Sequence, residues 1–170
     1  DFMTNFQRIS RRIDRFRDEM INLQIELCAI PALSPSVGGE GEGRKAEMLL
    51  DFLKTLPCHD IEVVKAPDLE APSGYRPNIL ALFPGKNPSR TIWVMTHADV
   101  VPPGELSQWK GDPFKAWVEG GKIYGRGVED NQQDMVASLF AVKAFLAEKI
   151  PPANNIGLAL VADEETGSSK

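Results

Sequence analysis

Three short segments of this 170-residue sequence carry side chains that could do chemistry, and the first is residues 96–102. His97 follows an apolar run there, and Asp99 stands two residues later. An imidazole at a strand end can ligate a metal through one ring nitrogen while a carboxylate fixes the other N–H. A His-x-Asp pattern alone is also typical of a histidine held in an ordinary hydrogen bond.

The second segment, residues 124–134, contains Gly125 and Gly127, which let the backbone turn sharply ahead of a helix. Asp130 then stands at the N-terminus of that helix, where its carboxylate could ligate a metal. The alternative is structural, because Asp130 and Asn131 are both residue types that cap helices.

The third segment, residues 163–168, places three consecutive carboxylates directly after an apolar run: Asp163, Glu164 and Glu165. Like charges this close repel and raise one another's pKa. A solvated surface loop tolerates such a cluster, whereas at the end of a central strand the cluster favours a bound cation.

These segments must be positioned by the helices and strands around them. Apolar residues spaced three and four apart over residues 6–30 predict one long helix, with a short coiled coil as the alternative. Further helices are predicted over residues 43–56 and 133–149. Strands are predicted over residues 61–65, 78–83, 91–96 and 156–162, with a hairpin over 116–124. The expected fold is α/β: a three-layer α/β/α arrangement around a mixed, mostly parallel central sheet.

Composition narrows the function classes. Hydrophobic residues make up 42% of the chain and charged residues 25%, which excludes wholesale disorder. A net charge of −5 argues against a nucleic-acid partner. Two cysteines, Cys28 and Cys58, indicate a reduced, cytoplasmic setting, and no apolar run is long enough to span a membrane.

Taken in order, the three segments resemble the co-catalytic zinc hydrolase family of aminoacylases and carboxypeptidases. That family includes acetylornithine deacetylase and succinyl-diaminopimelate desuccinylase. The motifs are His-x-Asp at a strand end, Gly-x-Gly-x-x-Asp opening a helix, and Asp-Glu-Glu-x-Gly-Ser after a later strand. The resemblance covers roughly residues 20–168 and implies a metal-dependent amidohydrolase or metallopeptidase.

The resemblance also implies a role for each site residue. His97 would ligate one metal, Asp130 would bridge two metals, and Glu165 would ligate the second. Asp99 would orient His97, and Glu164 would be the general base for water activated between the metals. The expected cofactors are two divalent ions, with zinc favoured and cobalt or manganese as alternatives. The expected substrates are N-acyl amino acids or small peptides, with the individual substrate open.

The sequence departs from the family pattern in two respects. The family continues Asp-x-Lys-Gly after the bridging Asp, whereas this chain has Asn131, Gln132 and Gln133. No histidine follows His97, although the family carries two further ligands downstream. We therefore expect residues 1–170 to be the N-terminal part of a catalytic domain, without the lid or dimerisation domain and the C-terminal catalytic part. Alone, they should bind metal weakly and hydrolyse nothing measurable.

Other functions are less consistent with the sequence. A degenerate, non-catalytic relative that binds a ligand or partner is the main alternative, and the full-length protein is expected to be a homodimer. A loose dinucleotide-binding pattern over residues 41–46 has no strand before it, and Glu42 would repel a pyrophosphate. Cys58 and His59 are adjacent, which is a poor geometry for a nucleophile and its base.

Overall fold

The computed structural model describes residues 3–58 and 60–170. His59 lies outside the described residues, and so does the prediction that Cys58 and His59 form no nucleophile–base pair. These described residues form ten α-helices and β-strands. They are α1 (Asn5–Arg15), α2 (Arg17–Cys28), α3 (Gly43–Lys54), β1 (Asp60–Pro67), β2 (Tyr75–Phe83), β3 (Asn87–His97), β4 (Trp117–Glu119), β5 (Lys122–Tyr124), α4 (Gln133–Glu148) and β6 (Asn154–Val161). None of the helices described is long and apolar enough to cross a membrane.

The predicted first helix is divided into two helices at Phe16. This residue has φ −85° and ψ 1°, which interrupts the helical backbone between α1 and α2. Its ring packs edge-on against Phe140 of α4, with centroids 5.6 Å apart. The apolar stripe continues into Leu23 and Leu27, which are buried in the core of the same chain. The stripe therefore packs on its own domain.

The central sheet is mixed, as predicted, and has the strand order β1-β2-β6-β3. The expectation of mostly parallel strands is wrong for the described residues. Strands β1 and β2 pair antiparallel, β2 and β6 pair antiparallel, and β3 and β6 pair parallel. A parallel pair needs a crossover connection, and the helix α4 supplies it between β3 and β6.

All four helices contribute to one apolar cluster with one face of the sheet. The sheet residues of that cluster alternate along the strands and include Ile79, Ala81, Leu158 and Leu160. The opposite face leaves Trp93 of β3 51% exposed and Met95 70% exposed. The α/β class is confirmed, but a second helical layer is not seen in residues 3–58 and 60–170. Periodicity identifies a helix without indicating which face of the sheet it covers.

Candidate metal centre

The candidate site lies where β3 and β6 end. These strands are parallel neighbours, and the last residues of each, His97 and Val161, are paired in register. Carboxyl ends of parallel strands meet at one edge of a sheet, which is where α/β proteins bind ligands. The turn that follows β6 carries Glu164 and Glu165 to this edge, and the loop before α4 carries Asp130 there.

His97, Asp130 and Glu165 form a cluster that could hold a metal ion. Each offers one ligand atom, and these three atoms all lie within 4.8 Å of one another. The His97 Nε2 atom is 3.0 Å from Asp130 Oδ1. The His97 side chain is 5% exposed, whereas that of Asp130 is 75% exposed, so the cluster opens to solvent on the Asp130 side. One nitrogen and two carboxylate oxygens are a donor set that fits zinc.

Glu164 lies beside the cluster. Its Oε2 atom is 3.8 Å from His97 Nε2, and its side chain is 54% exposed. Both glutamates of the turn are therefore near the imidazole. The division of roles between Glu164 as base and Glu165 as ligand remains a prediction.

The imidazole of His97 is oriented by the backbone of Asp99. The Nδ1 atom is 3.0 Å from the Asp99 carbonyl oxygen and 3.5 Å from its carboxylate oxygen Oδ1. With Nδ1 directed at that carbonyl, Nε2 faces Asp130. A hydrogen bond from the other ring nitrogen to a carbonyl oxygen fixes the ring orientation of a metal-ligating histidine.

The Asp99 carboxylate itself holds the turn after β6. It accepts hydrogen bonds from the backbone N–H of Glu164 at 3.1 Å and of Glu165 at 3.0 Å. Burial favours the protonated acid, but the hydrogen bonds from His97 and from these two N–H groups outweigh it and lower the pKa of Asp99. A buried, ionised Asp99 thus ties the end of β3 to the end of β6.

The pKa values in the cluster depend on the surrounding acids. Burial lowers the pKa of His97, but hydrogen bonds to Asp99 and Asp130 outweigh burial and raise it to about 9. Burial and the negative charge of Asp130 raise the pKa of Glu165. The acids around His97 favour a protonated imidazole when no cation is bound. A bound cation would displace that proton.

The loop before α4 explains the two glycines of the second motif. A Cβ atom at Gly125 would lie 2.7 Å from the Cys28 sulfur, and one at Gly127 would lie 2.5 Å from a methyl group of Val100. Gly127 also has a φ of 79°, in the left-handed region. Both positions therefore require glycine, and the sharp turn they allow brings Asp130 to the site.

The capping interpretation of the same motif is wrong. The residue that caps α4 is Gln132, and it makes no side-chain capping hydrogen bond. Asp130 has a non-helical backbone with φ −109° and ψ 99°. The Asn131 side chain accepts a hydrogen bond of 3.1 Å from the His97 backbone N–H and so joins this loop to β3.

A cleft of about 460 Å³ opens beside Asp130. Its lining includes Trp117 and Tyr124, whose rings stack with centroids 5.3 Å apart. The Arg126 guanidinium lies over the Trp109 ring, 5.3 Å from its centroid. Aromatic surface and a positive charge thus lie beside the candidate metal ligands.

Sequence reasoning missed three buried charged residues near the site. Glu42 and Lys45 at the start of α3 are 0% and 1% exposed, and Arg76 of β2 is 1% exposed. Each stands in a segment that looks like a loop or an ordinary surface position. The sequence around each residue gives little indication of its burial, because a buried ion pair between distant residues leaves no local pattern.

Comparison with known proteins shows which family this chain resembles. Residues 93–170 match the family described as Peptidase family M20/M25/M40. Over 156 residues the chain is 39% identical to an uncharacterized metallohydrolase of Methanococcus maripaludis, covering 89% of this chain and 37% of the relative. A succinyl-diaminopimelate desuccinylase of Delftia acidovorans is 33% identical over 85% of this chain and 36% of the relative. The chain therefore resembles the M20/M25/M40 family, whose model matches residues 93–170.

Solved structures of two dipeptidases are similar to nearly the whole of this chain. The dipeptidase Dug1p of Saccharomyces cerevisiae superposes with a TM-score of 0.83 at 27% identity, over 97% of this chain and 36% of that one. Human carnosine dipeptidase 1 gives a TM-score of 0.84 at 27% identity, over 98% and 36%. The predicted family resemblance is confirmed. This chain spans a little over a third of the length of these two curated relatives.

Proposed function

We propose that this chain carries part of the active site of a metal-dependent amidohydrolase. The single observation that supports the proposal most strongly is the convergence of His97, Asp130 and Glu165 from three separate segments of the sequence. Its substrates would be N-acyl amino acids or small peptides. Relatives named as a desuccinylase and as dipeptidases support this substrate class.

In the proposed site, His97 and Glu165 would each help to hold one of two divalent ions, and the Asp130 carboxylate would be shared between them. Zinc is favoured, and cobalt and manganese are alternatives with the same preference for imidazole and carboxylate. When bound, the ions would supply Lewis acidity toward water and toward the amide carbonyl. His97 is held for this role by the Asp99 carbonyl, and Asp130 by the turn around Gly127.

Glu164 is the proposed general base. It takes a proton from water and returns it to the departing amide nitrogen, which a carboxylate can do from a partly exposed position. Its backbone N–H is anchored on Asp99, and therefore the side chain starts from a fixed point next to His97.

The proposal places residues 1–170 in the N-terminal part of a catalytic domain. The remaining ligands and a lid or dimerisation domain would belong to the rest of a polypeptide of the relatives' length. A cytoplasmic homodimer is part of the same proposal. The 170 residues alone would bind metal weakly and would not turn over substrate.

The test uses a polypeptide of the relatives' length that contains this chain, assayed with N-acyl amino acids and dipeptides. Glu164→Gln should lower kcat by at least about 100-fold, the usual contribution of a general base, with zinc content unchanged. Glu62→Gln, an exposed substitution on β1, is the matched control and should leave kcat within twofold.

Two results would contradict the proposal. If Glu164→Gln loses zinc together with activity, Glu164 is a ligand and the roles are misassigned. If the unsubstituted polypeptide holds zinc but hydrolyses no acyl amino acid or peptide, the chain belongs to a non-catalytic, ligand-binding relative instead.

A further inference from the structure

A buried ion pair lies behind the turn that carries Glu164 and Glu165. Arg76 of β2 and Glu42 at the start of α3 are 1% and 0% exposed. Arg76 Nε donates to Glu42 Oε2 at 2.5 Å, and Arg76 Nη2 donates to the other oxygen, Oε1. Burying two charges costs several kcal/mol unless the geometry and the additional hydrogen bonds are good. A bidentate pair of this kind has the strongest geometry available.

Glu42 also binds the turn directly. Its Oε1 atom accepts a hydrogen bond of 3.1 Å from the Asp163 backbone N–H, one residue before Glu164. Glu42 occupies the N-cap position of α3, yet it makes no side-chain capping hydrogen bond there. The carboxylate therefore serves the turn and Arg76 rather than its own helix.

Asp163 needs this support because its backbone is strained. Its φ of 61° lies in the left-handed region, which non-glycine residues adopt rarely and at a cost. Its carboxylate lies 3.6 Å from Arg76 Nη1 and accepts hydrogen bonds from Thr166 Oγ1 and the Ser169 N–H. The side chain and the backbone of Asp163 are thus both fixed to the same buried pair.

The turn is consequently held from two sides. Asp99 accepts the N–H of Glu164 and Glu165, and Glu42 accepts the N–H of Asp163. Three successive N–H groups point at two buried carboxylates, which fixes the direction in which the two glutamates leave the backbone. The Arg76 guanidinium holds the Glu42 carboxylate in place next to Asp163.

We propose that the buried Glu42–Arg76 pair positions Glu164 and Glu165 for their roles at the metal centre. Glu42 and Arg76 are positioning residues that act through the Asp163 backbone. The proposal rests on the proposed metal site, because the two glutamates have their roles there. Whether the pair holds the turn in place can be tested without metal.

The experiment measures two properties of the 170-residue chain: amide hydrogen exchange by NMR without metal, and zinc affinity by calorimetry. In Glu42→Gln, the amides of Asp163, Glu164 and Glu165 should exchange at least tenfold faster, after correction for any change in global stability. Zinc affinity should fall about tenfold, the lower end of the effect of losing a group that holds metal ligands in place. Arg76→Lys keeps the cation and should restore most of the protection and affinity lost in Arg76→Met.

Glu148→Gln is the matched control. Glu148 also pairs with arginines, at 2.6 Å from Arg12 and 3.1 Å from Arg8, but it joins α4 to α1 rather than to the site. It should leave both the turn amides and zinc affinity within twofold.

Unchanged exchange of the turn amides in a folded Glu42→Gln or Arg76→Met chain would overturn the proposal. So would equal losses of zinc affinity in Glu42→Gln and Glu148→Gln. If the unsubstituted chain binds no zinc, the proposed metal site fails, and the exchange rates alone decide whether the pair positions the turn. If Glu42→Gln does not fold, Arg76→Met supplies the same comparison: faster exchange of the turn amides that Arg76→Lys largely restores supports the proposal, and unchanged exchange in Arg76→Met overturns it.

Discussion

Lys45 is a single buried amine that affects the stability of this molecule. It is 1% exposed, and its amine has no hydrogen-bond partner among the residues described. Burial lowers the pKa of Lys45 to about 8, although the nearby Cys28 and Asp99 oppose the shift. An amine in this position therefore lowers stability while it remains charged.

Lys45→Met should raise the free energy of unfolding at pH 7 by up to about 3 kcal/mol. Between pH 8 and 10.5 the unfolded chain keeps this lysine protonated more than the folded chain does, so stability of the unsubstituted chain rises with pH. Lys45→Met should lack that rise. Urea unfolding across this range measures it, with the exposed Lys54→Met on the same helix as control. Parallel stability curves for Lys45→Met and the unsubstituted chain would contradict the prediction.

At the residue scale, the candidate site residues that could be predicted from the sequence are those directly at the ends of strands and helices. His97, Asp99 and Asp130 stand out because polar residues follow apolar runs or sharp turns. Glu42 and Arg76 could not be found in this way, because they are 34 residues apart and meet only in the folded chain. From the sequence, the Asp99 carboxylate was predicted to contact only the His97 imidazole. The hydrogen bonds of this carboxylate to the turn after β6 were not predicted.

At the scale of elements, β3 carries more exposed large apolar side chains than any other described strand. It lies at an edge of the four-stranded sheet. Ile92 is 58% exposed, Trp93 51% and Met95 70%. Exposed, apolar edge strands favour association between chains.

Met95→Lys should therefore weaken self-association of the isolated chain about tenfold, because a charge at an apolar contact costs at least about 1.4 kcal/mol. Sedimentation velocity over a concentration series measures the effect. Leu69→Lys, in an exposed loop where the leucine is 96% exposed, is the matched control and should change little. Equal effects of the two substitutions would show that general charge, rather than β3, governs association.

Periodicity predicted the existence and type of each helix and strand, and the bounds differ by a few residues. What it could not predict was how they combine. At the break, Phe16 packs against Phe140, which is remote in sequence. Strand direction and the helix-free face of the sheet depend on connections and partners that no local window contains.

At the scale of the whole molecule, the fold converts sequence separation into proximity. The crossover through α4 makes β3 and β6 parallel neighbours, so His97 and the turn carrying Glu165 meet at one edge. The same crossover begins with the loop that carries Asp130, and therefore a single topological unit delivers all three candidate ligands. Metal affinity should accordingly depend on these three residues together and not on the neighbouring Glu164.

A cobalt(II) titration followed by visible absorption tests this claim most directly. The unsubstituted chain should develop cobalt d–d bands on titration. His97→Ala, Asp130→Asn and Glu165→Gln should each lower the affinity at least about tenfold, whereas Glu164→Gln should leave it within about threefold. Absence of cobalt binding by the unsubstituted chain, or an equal loss in Glu164→Gln and Glu165→Gln, would contradict the account.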